Sequence, residues 1–179
     1  QQIMEELPEV DGVLGTGSYT QVVSAIDELL SGNVVSDFGS IDAPEEETGR
    51  VVTTPEHYAF IKIAEGCDNC CSYCAIPQIC GPYTSRPYEE VIAEAKELAA
   101  SGIKEIIVVA QDTTRYGEDL YGKLMLPQLL KDLNELDGVE WIRVMYLYPN
   151  NFNDELIEAF ATLDKVCKYI DIPLQHASD

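Results

Sequence analysis

The chain has 179 residues, 46% of them apolar, enough for one ordinary domain core. Its formal net charge of -21 sets 32 acidic against 11 basic residues, which argues against direct nucleic-acid binding through this segment, because phosphate contacts need Lys and Arg. No apolar run reaches membrane-spanning length and no basic-then-apolar signal opens the chain; an acidic surface suits a basic protein partner, or serves solubility alone.

Gln1 in place of Met, and Asp179 directly after a strand-like run, read as the ends of an internal piece of a longer protein. Residues 12–14 read as a short strand, followed by a turn rich in Gly and Ser and then a helix. Thr20 is its expected N-cap, Val22, Val23, Ile26, Leu29 and Leu30 recur at helical spacing, and Gly32 ends it. Residues 31–57, with Pro44, the Glu45, Glu46 and Glu47 run and Pro55, read as an acidic linker.

A strand–helix rhythm then begins. Residues 59–63 read as a strand, and Ser85 is the expected cap of a helix reaching Ala100, with Pro87 in its first turn and Gly102 beyond its end. The apolar run 105–110 reads as a strand buried on both faces. A helix over 127–136, a strand over 141–147, a helix capped by Asn153 up to about 163 and a fourth strand over 168–172 complete the pattern. Alternation of this kind builds a parallel sheet with helical crossovers.

In such sheets the reactive groups gather in loops beyond the carboxyl ends of the strands. The loop with Cys67, Cys71 and Cys74 follows the first strand, Gln111 to Arg115 the second, Tyr148 and Pro149 the third, and Pro173 to His176 the fourth. All four segments should face one rim.

Six cysteines, mostly bunched in one loop, read as metal ligands in a reducing compartment and not as a disulfide framework. The order Cys-x-x-x-Cys-x-x-Cys can hold three irons of a cubic cluster and leave the fourth open to a substrate or cofactor. The rival reading pairs Cys67 with Cys70 and Cys71 with Cys74 as zinc knuckles, but adjacent Cys70 and Cys71 would force one short backbone to deliver both pairs. Cys167 reads as a small core residue, and Cys80 as a stray thiol or a further ligand. Tyr73 can stack on a purine or pack the loop; Asp112, with Gln111, can meet a ligand at the rim or cap the next helix. His176 can serve as a base or as an ordinary hydrogen-bonded residue, and Arg115 and Tyr116 can hold substrate or tie down their own loop.

The cysteine loop after a first strand resembles that of the radical S-adenosylmethionine enzymes. Ile-Ala-Glu-Gly-Cys-Asp-Asn from Ile63, Gly81 with Ser85-Arg86-Pro87, Val-Ala-Gln-Asp-Thr-Thr-Arg-Tyr-Gly from Val109, Leu-Tyr-Pro from Leu147 and Asp-Ile-Pro-Leu-Gln-His from Asp171 resemble the methylthiotransferases among them. The Gln-Asp-Thr-Thr-Arg-Tyr-Gly and Tyr-Leu-Tyr-Pro segments look like the branch that modifies an aspartate of ribosomal protein S-twelve; the tRNA adenosine branch usually differs there.

This resemblance implies an α/β fold: residues 1–30 as the C-terminal tail of an α/β N-terminal domain, 31–57 as the linker, and 58–179 as the first part of a parallel (β/α) barrel that continues in the family. It implies that Cys67, Cys71 and Cys74 hold a 4Fe-4S cluster whose open iron binds S-adenosylmethionine, with Tyr73, Gln111, Asp112 and Gln175 as cofactor-binding residues and Tyr73 near the adenine. The resulting 5′-deoxyadenosyl radical would take hydrogen from the aspartate β-carbon; no side chain is assigned as the catalytic group. A second 4Fe-4S cluster is implied on an N-terminal domain, but no Cys precedes Cys67, so its ligands are absent and this piece alone is expected to be inactive. Cys70, Cys80 and Thr84 stand where the family often carries Arg. The implied partners are a basic ribosomal protein and an electron-donor protein, in the cytoplasm and away from membranes. A tRNA-modifying enzyme and a zinc-binding adaptor are the alternatives.

Overall fold

The computed structural model describes residues 2–40, 51–174 and 178. The chain forms two compact units, one of Gln1–Arg50 with Tyr73–Gly81 and a larger one of Val51–Ser72 with Pro82–Asp179.

The smaller unit contains α1 (Gln2–Glu6), β1 (Gly12–Leu14), α2 (Val22–Leu30), β2 (Val35–Asp37) and α3 (Ile76–Cys80). β1 pairs parallel with β2, Gly12 beside Val35 and Leu14 beside Asp37. Two expectations need correction. Thr20 does not cap the helix: Thr16–Gln21 is already wound as a 3-10 turn that runs straight into α2, so the N–H of Val22 is taken by the carbonyl of Tyr19. The stretch expected to be linker begins with a strand, because β-branched Val35, with Ser36 and Asp37 after it, lies where the backbone pairs with β1. The turn after β1 closes on the chain after β2: a Cβ on Gly17 would stand 2.5 Å from the Gly39 carbonyl oxygen, so only glycine permits that approach. Gly32 ends α2 as expected, at φ +85, its N–H bonding Leu29 O at 2.9 Å while Asn33 N–H reaches Glu28 O at 3.1 Å. Pro44 and the Glu45 to Glu47 run lie outside the described residues.

The larger unit runs β3 (Tyr58–Lys62), β4 (Ala64–Glu65), β5 (Thr84–Ser85), α4 (Tyr88–Ala100), β6 (Glu105–Val109), α5 (Glu118–Tyr121), α6 (Leu126–Asn134), β7 (Trp141–Val144) and α7 (Asp154–Thr162). β3, β6 and β7 form a parallel sheet in that order, with Ala59 beside Ile106 beside Ile142 and Ile61 beside Val108 beside Val144. These six side chains share one face. They are fully buried in one core with Val91, Ala95 and Leu98 of α4, Leu129, Leu130 and Leu133 of α6, and Leu156 and Ala159 of α7. The other face carries exposed Phe60 and Trp141 and a pair in which Arg143 Nε lies 2.6 Å from Glu105 Oε1. β6 is therefore not buried on both faces: Ile106 and Val108 are enclosed, whereas Ile107 and Val109 are half-buried, because the helices supply apolar cover to the first face.

Ser85 is not the cap of α4. It pairs with Ala64 in a short antiparallel ladder and its Oγ accepts the Gly117 N–H at 2.9 Å, leaving Pro87, with φ already suited to a helix, at the cap. Asn153 caps α7 as expected, its Oδ1 accepting Leu156 N–H at 2.9 Å. The fourth strand over 168–172 is absent among the described residues; a single parallel bridge joins Ile142 to Val166, and Leu147 N–H reaches Asp171 O at 2.9 Å. The ladder cannot lengthen because Tyr146, at φ +57, turns its own strand out of extended geometry, and its N–H is taken by the Asp171 side chain at 2.8 Å. No helix among the described residues is long and apolar enough to cross a membrane.

Candidate cofactor site at the carboxyl ends of the strands

Parallel register brings the strand ends to one edge, Lys62 beside Val109 and Val108 beside Val144. From β3 the chain passes through β4 and Gly66, at φ +71, into Cys67. Three loops are then tied together. Asn69 Nδ2 donates to Asp112 Oδ2 at 3.3 Å, joining the loop after β3 to the loop after β6. Thr113 donates its N–H to Tyr146 O at 3.0 Å and its hydroxyl to Met145 O at 3.0 Å, joining that loop to the segment after β7. Of the expected segments, the cysteine loop and the loop 111–115 come together; the tie to the third strand is made at Met145 and Tyr146 and not at Tyr148 and Pro149. Pro173 and Leu174 of the fourth are exposed, and Gln175 and His176 lie outside the described residues.

Asp112 is fully buried, and of its two expected uses the structure realises capping. Its Oδ1 accepts the Thr114 N–H at 3.1 Å and the Thr114 hydroxyl, and with Asn69 on Oδ2 the carboxylate is enclosed by donors. Tyr83 donates its hydroxyl to the Asp112 carbonyl at 2.9 Å. Burial, then the Asp112 charge, pushes the Tyr83 phenol well above its ordinary range, so it remains a neutral donor. Gln111, next in the chain, is exposed.

Arg115 ties loops down. Its Nη1 reaches Asp68 Oδ2 at 3.2 Å, its Nε reaches Glu118 Oε2 at 3.1 Å, and its guanidinium lies 4.9 Å from the Tyr83 ring centre. Burial works against its charge, and the Glu118 and Asp68 carboxylates more than offset that. Tyr116 cannot hold substrate: it is fully buried, with its hydroxyl on Arg86 O at 3.1 Å.

Among the described residues none of the six cysteines is placed in a disulfide. Cys67 and Cys71 are half-buried in the larger unit, whereas exposed Tyr73 and half-buried Cys74 belong to the segment grouped with the smaller one. The Cys67 sulfur accepts the Asn69 N–H at 3.4 Å. Burial raises its thiol pKa against that bond, and Asp112, Cys71 and Asp68 add to the rise, so the proton must leave as a metal binds. Among the described residues no three His, Cys, Asp or Glu side chains are already gathered around a metal-sized point. The donor set nevertheless fits an iron–sulfur group: soft sulfurs, one of them receiving a backbone N–H. Cys70 is exposed with φ +49, Cys80 closes α3, and exposed Thr84 sits in β5. Cys167 is half-buried, less enclosed than a core residue.

A family model described as the radical SAM superfamily matches residues 61–179. The chain belongs to the radical SAM superfamily. Among curated proteins it is similar to the ribosomal protein uS12 methylthiotransferase RimO of Caldanaerobacter subterraneus subsp. tengcongensis, 52% identical over 180 residues that make up 100% of this chain and 41% of that protein. The proteins of the same name from Lachnoclostridium phytofermentans and Clostridium tetani are each 52% identical over 180 residues, covering 41% and 40% of their lengths. The chain thus spans about two fifths of the curated relatives it matches.

Sequence reasoning missed Asp68, Asn69 and Tyr83 in this radical SAM loop. Asp68 and Asn69 stand between the first two motif cysteines, where polar residues with side-chain acceptors and donors are suited to bracing a turn; that was the available signal.

Proposed function

We propose that this chain carries the cofactor-cleaving part of a methylthiotransferase acting on the β-carbon of an aspartate in ribosomal protein S-twelve, and that its sheet is the first part of a (β/α) barrel. The observation that carries the reading is the 52% identity, along 100% of the chain, to proteins named for methylthiolation of uS12. For the barrel, the support is strands in sequential parallel order with the core helices on one face and the Arg143–Glu105 pair on the other. A doubly wound sheet carries helices on both faces, while a barrel keeps them outside.

Cys67, Cys71 and Cys74 would hold a 4Fe-4S cluster. When bound, such a cluster with one open iron anchors S-adenosylmethionine and supplies the electron that splits its sulfonium. The residues around it have separable tasks. The Asn69 backbone N–H orients the Cys67 sulfur, and its side chain transfers that order to buried Asp112. Asp112 then serves the cofactor by holding the loop from which exposed Gln111 can offer donors and acceptors. Tyr73 and Gln175 remain proposed contacts to the cofactor, Tyr73 through its ring. An electron-donor protein, a cytoplasmic setting and a second 4Fe-4S cluster belong to the proposal for the whole protein, and the charge of -21 favours a basic protein substrate over nucleic acid.

The test uses the whole protein, reconstituted anaerobically and given S-adenosylmethionine, reductant and either ribosomal protein S-twelve or tRNA. A methylthio mass increment on the ribosomal protein is expected; modified tRNA with unmodified protein overturns the substrate, and stoichiometric zinc without iron or sulfide overturns the chemistry. Cys71→Ala should lose the share of iron, sulfide and brown absorbance that belongs to this cluster and leave that of the second, whereas Cys70→Ala and Cys167→Ala should keep both.

A further inference from the structure

We propose that Arg115 is a positioning residue that, through Asp68, raises the reduction potential of a cluster held on the Cys67 loop. The inference rests on the reading that these cysteines bind a cluster, and it assigns a task to a side chain that the cysteine motif does not include.

Arg115 is not a floating surface cation. It is only 21% exposed, and it is held from three directions: by Asp68 at 3.2 Å, by Glu118 at 3.1 Å and by the Tyr83 ring at 4.9 Å. Asp68 follows Cys67 directly, and its other oxygen accepts the Tyr83 N–H at 3.2 Å. Tyr83 is itself fastened through its hydroxyl to the Asp112 carbonyl, and Asp112 receives the Asn69 side chain. The loop leaving Cys67 is thus gripped at Asp68 and Asn69, with the positive charge at one of the two grips. Asp68 and Glu118 are 47% and 49% exposed, so solvent screens part of each pair, and what keeps the charge in place is the less exposed guanidinium held between the two carboxylates and against the Tyr83 ring.

The sign follows from charge. The chain has 32 acidic and 11 basic residues, and thiolate ligands add further negative charge at the loop. Reduction adds one electron to that environment, so a nearby fixed cation stabilises the reduced form and a nearby carboxylate opposes it. Without Arg115, Asp68 and Glu118 would be two carboxylates facing the loop with their shared cation removed.

The experiment is a redox titration of the reconstituted whole protein, followed by the electron paramagnetic resonance signal that Cys71→Ala removes, on the unmodified form and on R115Q, R115K and D68N. R115Q should hold about tenfold less reduced cluster at a fixed potential, equivalent to about 59 mV for a one-electron couple. R115K should recover most of the difference. D68N should move the other way, toward more reduced cluster. A residue that only braced the loop would not give opposite signs for the two halves of one ion pair. Equal or same-direction shifts in R115Q and D68N overturn the inference while leaving the cluster assignment standing. If R115Q takes up no iron, D68N against the unmodified protein carries the sign test, and a shift toward less reduced cluster in D68N overturns the inference. An unmodified protein with no 4Fe-4S signal that depends on Cys71 overturns both readings together.

Discussion

α2 and α6 have nine residues each and both show an apolar stripe at helical spacing, yet they end in opposite circumstances. In the larger unit, α6 buries Leu126, Leu129, Leu130 and Leu133 completely against α4, β7 and α7. In the smaller unit, α2 buries only Ala25, and Val23 and Leu30 are 69% and 82% exposed. Periodicity therefore decides which side of a helix is apolar, and tertiary neighbours decide whether that side contributes stability. One helix is a wall of the core. The other presents its stripe to the surface.

The sharpest way to break this contrast is Leu130→Ala. A fully enclosed leucine removed from a packed core should cost about 2–5 kcal/mol in unfolding free energy by urea denaturation, the spread reflecting how far the cavity collapses. A loss below about 1 kcal/mol would mean that α6 is no better packed than α2. Hydrogen exchange gives the same comparison without mutation: α6 amides should exchange more slowly than those of α2.

Next in size is Asp112→Ala, which tests whether the rim rests on the same buried order. The change leaves the enclosed Thr114 N–H and hydroxyl and the Asn69 amide without their acceptor, at about 1–3 kcal/mol for stranding buried donors. Asp112→Asn keeps one acceptor oxygen and should cost less. Equal thermal stability of the unmodified protein and Asp112→Ala would show that water replaces the carboxylate and that the loops are not braced there.

What the sequence makes legible follows the range of the forces involved. Strands β1, β3, β6 and β7, the caps at Gly32, Gly102 and Asn153, and the gathering of loops at one edge all depend on local patterning or on parallel topology, and each was readable from residue order. Ser85 illustrates what was not. A serine before Pro87 has the chemistry of a cap, but Ala64 and the Gly117 N–H, distant in sequence, claim it first. Asp112 is similar: an acid at a strand end suits ligand contact and capping equally, and only its enclosure by Asn69 and Thr114 separates the two. The missing fourth strand reflects a left-handed backbone at Tyr146, a residue type that gives no warning of positive φ. The three motif cysteines are the plainest signal in the residue order, and the cluster proposed for them rests on that spacing.

Asn153→Ala probes a contact that is both legible and present. Loss of the bond from Leu156 N–H to Asn153 Oδ1 at 2.9 Å should lower stability by about 1 kcal/mol, read by denaturation, and Asn153→Asp should retain it.

The smallest expected effect is the most searching for the comparison. In Val23→Ala the side chain lost is already 69% exposed, so only a minor part of the roughly 1.5–3 kcal/mol available from full burial of such a group can be forfeited. Against it stands the helix preference of alanine over a β-branched residue, a few tenths of a kcal/mol up to about 0.7. The two terms oppose each other at similar size, so unfolding free energy should change by less than about 0.5 kcal/mol in either direction. Leu130→Ala removes a similar stretch of hydrocarbon from a helix of the same length, and the difference between the two results measures the contribution of packing after the helical pattern is in place. A loss above about 1 kcal/mol in Val23→Ala would show that the stripe of α2 is covered in solution, and the contrast between the two units would then be one of partner and not of burial.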